Sequence, residues 1–274
     1  MSGKLYIVGT PIGNLGDFSP RAIETLKSVD FIAAEDTRVT LKLLNKFEID
    51  TPMISYHEHN KASRHEEIAE RISAGESGAL VTDAGMPAIS DPGEDLVRFC
   101  HERGVAVESV PGPSALITAL AISGMPSQRF SFEGFLPVAK AERTERLATI
   151  KQYEGTLIFY EAPHKLKSTL ADMLSVLGDR EIALVRELTK LHETVERTTL
   201  AGAVEMYSEK EPKGEYVLIV GGAKKEAATE YTLESAVELA KKYLAEGMGA
   251  SNAAKAAAAE TGFKKGDIYK ELIK

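Results

Sequence analysis

Apolar positions along the first half of the chain alternate between two periods. Short runs rich in β-branched residues, LYIVG at 5–9, FIAAED at 31–36, GALVTD at 78–83 and VAVESVP at 105–111, read as buried strands. Between them lie stretches whose apolar residues recur every three to four positions: SPRAIETLKSVD, TRVTLKLLNKF, the polar KASRHEEIAERISAG and DLVRFCHERG, with the small-residue PSALITALAISG after the last. Strands separated by helices of this length predict βαβ units, hence an α/β fold with a mostly parallel sheet and helices on its faces. In such a sheet a ligand binds outside the carboxyl ends of the strands. The breaker-rich segments at 9–17, 82–93 and 111–115, each following a strand, are therefore expected to meet at one crevice.

The SGMPSQ cluster at 123–128 interrupts the pattern and marks a boundary. Beyond it come the strand RFSFEGFLP, the charged helix AKAERTERLATIKQY, the strand TLIFYEA, the helix HKLKSTLADMLSVLG and the strand EIALVREL. The alternating ETVERTTLA, a short helix and GEYVLIVGG follow, a mixture less purely parallel than the first half. After GGAKKEAATE, the residues Leu233, Ala236, Val237, Ala240 and Leu244 share one helical face, and two more helical pieces, SNAAKAAAAE and GDIYKELIK, complete the chain. The expected organisation is 1–123, 124–223 and a helical tail at 224–274.

Composition narrows the function. A net charge of -8 opposes a long polyanion footprint on average, although the tail, with nine Lys against eight acids, is less hostile to RNA. Cys100 is the single cysteine and sits in a helical apolar pattern, so a buried thiol in a reducing compartment is expected. No apolar run approaches a membrane span and MSGKLYIVG lacks the marks of a leader, which predicts a soluble, cytoplasmic protein with no membrane partner.

The chemistry lies in the loops. Gly9, Gly13 and Gly16 follow a strand, and Glu35-Asp36 ends the next, a placement that suggests a dinucleotide site. The spacing is GxxxGxxG with Pro11 inside, however, and no Lys-Ser/Thr pair makes it a phosphate loop. A tight turn accounts for it equally well. VTDAGMPAISDPG is more informative. Gly85 admits close approach of backbone, Pro87 and Pro92 fix φ, and Asp83 and Asp91 supply acceptors, Asp91 also suiting a helix N-cap. Such a shelf offers carbonyls and carboxylates but no cation. It suits a ligand with amines and a ribose, and S-adenosylmethionine, with its positive sulfonium, answers that description. His57 and His59 flank Glu58, but one HxH pair with no partner cluster is a weak zinc signal, and no metal is expected.

LYIVGTPIGNLGD, AAEDTR, VTDAGMPAISDPG, VPGPSA, FEGFLP, LIFYEAPHK and RELTKLHET, in this order, resemble the ribosomal small subunit methyltransferase I family over Lys4 to Gly222. The resemblance implies a two-domain tetrapyrrole-methylase-like fold, a C-terminal helix-turn-helix-like appendage and a homodimer. It also implies methyl transfer from S-adenosylmethionine to the ribose 2′-hydroxyl of a cytidine in small-subunit ribosomal RNA. It places the cofactor against Pro11; against Asp83, Gly85, Met86, Pro87 and Ile89; against Pro113, Ser114 and Ala115; and against Phe159, Tyr160, Glu161, Ala162 and Leu188. Met86 stands where the family pattern has Thr, and Lys165 where Arg is usual. Two other readings compete: methylation of a tetrapyrrole precursor, and a non-catalytic ribosome-assembly factor.

Methyl transfer to a hydroxyl is an in-line displacement that needs alignment and a proton acceptor. Glu35, Asp36 and Arg38 follow the second strand, and Glu187 and Lys190 follow a second-half strand, so both groups can face the crevice. Lys190 or Glu187 is assigned to deprotonation and Arg38 to a phosphate; an ion-pair network bracing the domains explains the same residues. Lys255, Lys264, Lys265 and Lys270 in the tail are compatible with phosphate contact, and packing or dimerisation with a structural role.

Overall fold

The computed structural model describes residues 3–57, 60–224 and 231–274, and of 61–63 only the backbone. The chain forms two compact units, Met1–Ala223 and Lys224–Lys274.

The first unit opens with a five-stranded sheet of order β3-β2-β4-β1-β5, parallel throughout. Its strands are β1 (Lys4–Val8), β2 (Phe31–Ala34), β3 (Met53–Ser55), β4 (Gly78–Val81) and β5 (Ala106–Val110). Side chains alternate across it as the pleat requires. Val8, Ile32, Ala34, Ala79 and Val81 bury against α1 (Pro20–Ser28) and α2 (Thr37–Lys46). Leu5, Ile7, Phe31, Ala33 and Leu80 bury on the other face with α3 (Lys61–Ser73) and α4 (Glu94–Glu102). Coverage on both faces explains why these strands read as continuous apolar runs. Cys100 belongs to this core, and burial pushes its thiol up to about 11, so it is an unreactive packing residue.

The second sheet, of order β6-β7-β10-β8-β9, is mixed: only β6 (Phe130–Phe135) and β7 (Thr156–Glu161) run parallel. The strands β8 (Glu181–Arg186), β9 (Thr194–Thr199) and β10 (Tyr216–Val220) pair antiparallel. One face, with Leu157, Phe159, Leu184 and Leu218, packs on α6 (Lys140–Ile150), α7 (Pro163–Leu177) and α8 (Leu200–Glu209). The other, with Ile158, Ala183, Val185 and Val217, packs on α5 (Ala115–Ser123). Although α5 follows the last strand of the first sheet, Ala119 and Leu120 lie on the second sheet, so this helix ties the two layers together.

The second unit holds α9 (Leu233–Ala245), α10 (Ala250–Thr261) and α11 (Lys265–Leu272), whose Ala236, Val237, Ala240, Ala254, Ala257 and Ile268 form a small core of their own. The alanines permit the close helix approach that the Ala-rich run at 256–259 announces. Among the described residues no helix is long and apolar enough to cross a membrane.

Candidate functional site

The three breaker-rich loops meet because β1 lies between β4 and β5. Thr10 and Gly85 exchange both backbone hydrogen bonds, at 2.9 and 3.2 Å, and Gly9 N–H donates to Val110 at 3.1 Å. A Cβ on Gly9 would stand 2.7 Å from the Gly112 Cα and from Met86 Sδ, so glycine there is a condition of the contact. The Thr10 hydroxyl donates to the Thr82 carbonyl at 3.1 Å, and Thr82 Oγ1 donates to Glu35 Oε2 at 2.7 Å. The end of β2 is thereby drawn into the same corner.

These loops form one side of a cleft of about 560 Å³, within the size range of small-molecule sites. The other side is the second sheet: Phe135 from β6, Tyr160 and Glu161 from β7, Val185 from β8, Tyr216 and Val217 from β10, and Glu215 just before it. Leu188 adds an apolar side chain to the lining. Because β10 runs antiparallel, its first residue Tyr216 registers with Glu161 and Arg186, the last residues of β7 and β8.

Carboxylates dominate the polar lining. Glu35, Asp83, Asp91, Glu161 and Glu215 face the cleft, and among its described residues there is no Lys, Arg or His. Burial pushes Asp91 up to about 6, with Glu35 and Asp83 adding to the effect. Burial likewise raises Asp83, which accepts the Asp36 N–H at 3.2 Å. A pocket that accumulates carboxylates at such a cost is prepared for a cationic or amine-bearing guest. Glu161 is committed elsewhere: its carboxylate accepts Ala162 N–H at 2.8 Å and Thr169 Oγ1 at 2.5 Å, tying the N-cap of α7 to its second turn.

Backbone strain concentrates here. Ala88, Ser90, Glu187 and Thr189 adopt φ between 53° and 67°, four of the five non-glycine residues with positive φ among those described. Each costs of order 1 kcal/mol, which the surrounding packing must offset. Strain of this kind gathers at sites whose loops are shaped for a ligand.

Known proteins resemble the chain in both sequence and fold. Residues 4–204 match the family model described as Tetrapyrrole (Corrin/Porphyrin) Methylases. A protein of Synechocystis sp. named ribosomal RNA small subunit methyltransferase I is 47% identical over 268 residues, which is 97% of this chain and 96% of that one. The chain belongs to the ribosomal RNA small subunit methyltransferase I family. A family member from Thermotoga maritima is 48% identical over 220 residues, 80% of this chain but 99% of its own length. Uroporphyrin-III C-methyl transferase from Thermus thermophilus, solved with S-adenyl homocysteine, shares the fold, with a TM-score of 0.55 and 19% identity over 79% of this chain and 97% of that one.

Of the residues that the family's motifs single out, the cleft gathers Asp83, Gly85, Met86, Ile89, Ser114, Ala115, Tyr160, Glu161, Ala162 and Leu188, together with Glu35. Pro11, Pro87, Pro113 and Phe159 stand outside its lining, as do Asp36, Arg38, Glu187 and Lys190, whose side chains are engaged in ion pairs beside it; Pro87 is buried, and Phe159 points to the helix-covered face of the sheet. Gly93, not Asp91, is the N-cap residue of α4. Asp36 caps α2 through Arg38 N–H at 2.8 Å and pairs with the Arg38 guanidinium at 2.6 Å; these hydrogen bonds hold its carboxyl well below the usual range. Lys190 Nζ bridges Glu187 at 3.1 Å and Glu215 at 2.8 Å. Burial would lower Lys190, but both hydrogen bonds outweigh it and hold the ammonium protonated. At Glu187 burial is likewise overcome, by the Glu215 N–H and the Lys190 ammonium, and the carboxyl sits below its ordinary value.

Val185 and the Glu215–Val217 edge carry no sequence mark of a site, since their position depends on the antiparallel pairing of β10 with β7 and β8. Phe135 could have been found from the FEGFLP motif. The zinc question at His57 and His59 falls on Glu58 and His59, which lie outside the described residues; among the described residues no group of three His, Cys, Asp or Glu could hold a metal.

Proposed function

We propose that this protein transfers a methyl group from S-adenosylmethionine to the ribose 2′-hydroxyl of a cytidine in small-subunit ribosomal RNA, and that it works as a homodimer. The observation that carries this reading is the carboxylate-lined, cation-free cleft between the two sheets in a chain of this family. The residues fit the cofactor. Asp83, Asp91 and Glu35 would receive its amine donors and tolerate its positive sulfur; Ala115, Leu188 and Val217 offer an apolar wall, and Ser114 and the Gly85 backbone offer polar atoms. When bound, S-adenosylmethionine supplies an electrophilic methyl on that sulfur.

What remains for the chain is to hold the hydroxyl in line and take its proton. Lys190, held protonated between two carboxylates, is a poor proton acceptor; it serves to orient Glu187 and Glu215. Of Lys190 and Glu187, only Glu187 is in its proton-accepting form near neutral pH, so that role is assigned to it, as a weak base beside Leu188 at the cleft's edge. Arg38, with its side chain 87% exposed beside the cleft's Glu35 corner, is assigned to a phosphate. The second copy is assigned to the apolar face of α5, where Ile117 and Ile122 remain 51% and 42% exposed.

The test is transfer of tritium from labelled S-adenosylmethionine to small ribosomal subunits lacking their own ribose methylation, followed by mapping of the label. Label on one cytidine 2′-oxygen is expected, with Glu187→Gln lowering turnover at unchanged cofactor affinity. Tight cofactor binding without label would discard the RNA acceptor in favour of a small molecule or a non-catalytic role. A monomer by light scattering at working concentration would discard the dimer.

A further inference from the structure

The segment 37–47 carries Arg38, Lys42 and Lys46 and no acid, in a chain of net charge -8. All three lie on α2 at four-residue intervals, so they form one stripe, successive cations about 6 Å apart along the axis. All three are exposed. Other exposed cations are neutralised locally: Lys4, Lys210 and Lys274 each pair with a carboxylate within 3.0 Å. Lys42 and Lys46 pair with none among the described residues, and Arg38 has only its own cap residue. Beside the stripe Val39 and Leu41 stand 40% and 47% exposed, although this helix has a well-formed buried side in Thr40 and Leu44. The stripe begins where Glu35 enters the cleft wall and runs the length of the helix away from it.

We propose that this face of α2 is the track on which an RNA strand approaches the cleft, Arg38, Lys42 and Lys46 each holding a phosphate while Val39 and Leu41 meet sugar and base edges. The inference rests on the RNA-methylation reading and extends it from the reacting nucleotide to the flanking strand. Cations spaced like neighbouring phosphates, two of them without an acidic partner among the described residues, neutralise a strand most effectively where the surface around them repels it. On a chain of net negative charge such a stripe would favour one path to the cleft, so the net charge becomes a source of register.

The experiment measures binding of a fluorescein-labelled oligocytidine by the full chain across a salt series. Lys42→Gln/Lys46→Gln is expected to weaken binding roughly tenfold at about 100 mM salt and to reduce the slope of log K against log salt by about 1.4, from about 0.7 per single-strand phosphate neutralised. Its affinity for S-adenosylmethionine should stay unchanged by calorimetry. Arg129→Gln/Lys151→Gln removes the same charge from exposed positions of the second sheet's half, and is expected to leave the slope as it was. An unchanged slope in the α2 variant, or an equal loss in the control, overturns the track. So does a loss seen with intact small subunits but not with the oligonucleotide, which would assign the face to a ribosomal protein. Methyl transfer by the unaltered chain is read separately: a stripe-dependent slope without transfer supports the track and sinks the catalytic reading.

Discussion

The phenolic oxygen of Tyr160 accepts the backbone N–H of Leu116 at 3.1 Å. Ser114 stands at the N-cap of α5 but its side chain makes no capping bond, so a residue of β7 caps a helix that begins on the loops of the other sheet. Phe132 and Phe135 meet the Tyr160 ring edge-on, with centroids 4.9 and 5.5 Å away, and hold the phenol at that angle. One hydrogen bond thus fixes the two walls of the cleft against each other. Tyr160→Phe keeps the ring and removes the acceptor. It should cost about 1–2 kcal/mol of stability and weaken cofactor binding severalfold. Urea unfolding together with calorimetry checks it, and normal values in both would mean the bond is incidental.

Asp91 gives the cleft a pH signature. Its folded pKa of about 6 lies above the ordinary 3.8 because burial and the neighbouring Glu35 and Asp83 penalise the anion. Between those two values the folded state binds the proton more tightly than the unfolded chain, so this group's contribution makes stability fall as pH rises through the window and level off above it. Asp91→Asn should therefore melt higher than the parent at pH 8 and alike near pH 4. Affinity for the positively charged cofactor should do the reverse in the parent, rising as Asp91 ionises. Melting curves of parent and variant that stay parallel across this range would show that Asp91 titrates normally.

Behind the second wall lies a buried ion pair. Arg143 donates to Asp172 Oδ2 through Nε at 2.8 Å and Nη2 at 2.6 Å, and through Nη1 to the carbonyls of Val138 and Pro137 at 2.8 and 3.1 Å. Both side chains are nearly out of solvent, so removing one partner strands the other; Arg143→Met should cost about 3–5 kcal/mol. Arg143→Met/Asp172→Leu should recover most of that loss. It should not recover cofactor affinity, because the two carbonyls lie just past Phe135 and fix the chain that leaves the cleft wall. Equal recovery of stability and affinity would confine the pair to a packing role.

The order of helices and strands was legible because both periods are strong in this chain, and the meeting of the three loops followed from parallel topology alone. The features that were not legible have physical reasons. β3 is three half-buried residues at a sheet edge, too short to show a period. Phe159 and Tyr160 are neighbours in one motif, yet the pleat sends Phe159 into the helix-covered core and Tyr160 to the cleft. No motif can say which of two adjacent residues faces a ligand until the sheet has faces. The Glu215–Val217 edge needed more, namely the knowledge that β10 runs against β7 and β8. The charge stripe on α2 was in plain view as a helical pattern, but only its exposure and the lack of an ion pair at Lys42 and Lys46 among the described residues separate it from an ordinary solvated face.

The helical unit has a core of its own, which draws on Ala236, Val237, Ala240, Ala254, Ala257 and Ile268, none of which belongs to the four clusters of the first unit. The Thermotoga maritima relative, 99% of which is spanned by a 220-residue match, is about as long as Met1–Ala223 by itself. A chain ending at Ala223 should therefore fold, melt within a few degrees of the parent and bind S-adenosylmethionine with the same affinity, since every residue lining the cleft precedes the cut. RNA binding separates the two roles open to the tail. With Lys255, Lys264, Lys265 and Lys270 exposed, a nucleic-acid reader would take part of the salt slope with it when removed, about 0.7 for each single-strand phosphate that it neutralises. An unchanged slope in a well-folded truncated chain would eliminate the reader and leave packing or assembly as the tail's work.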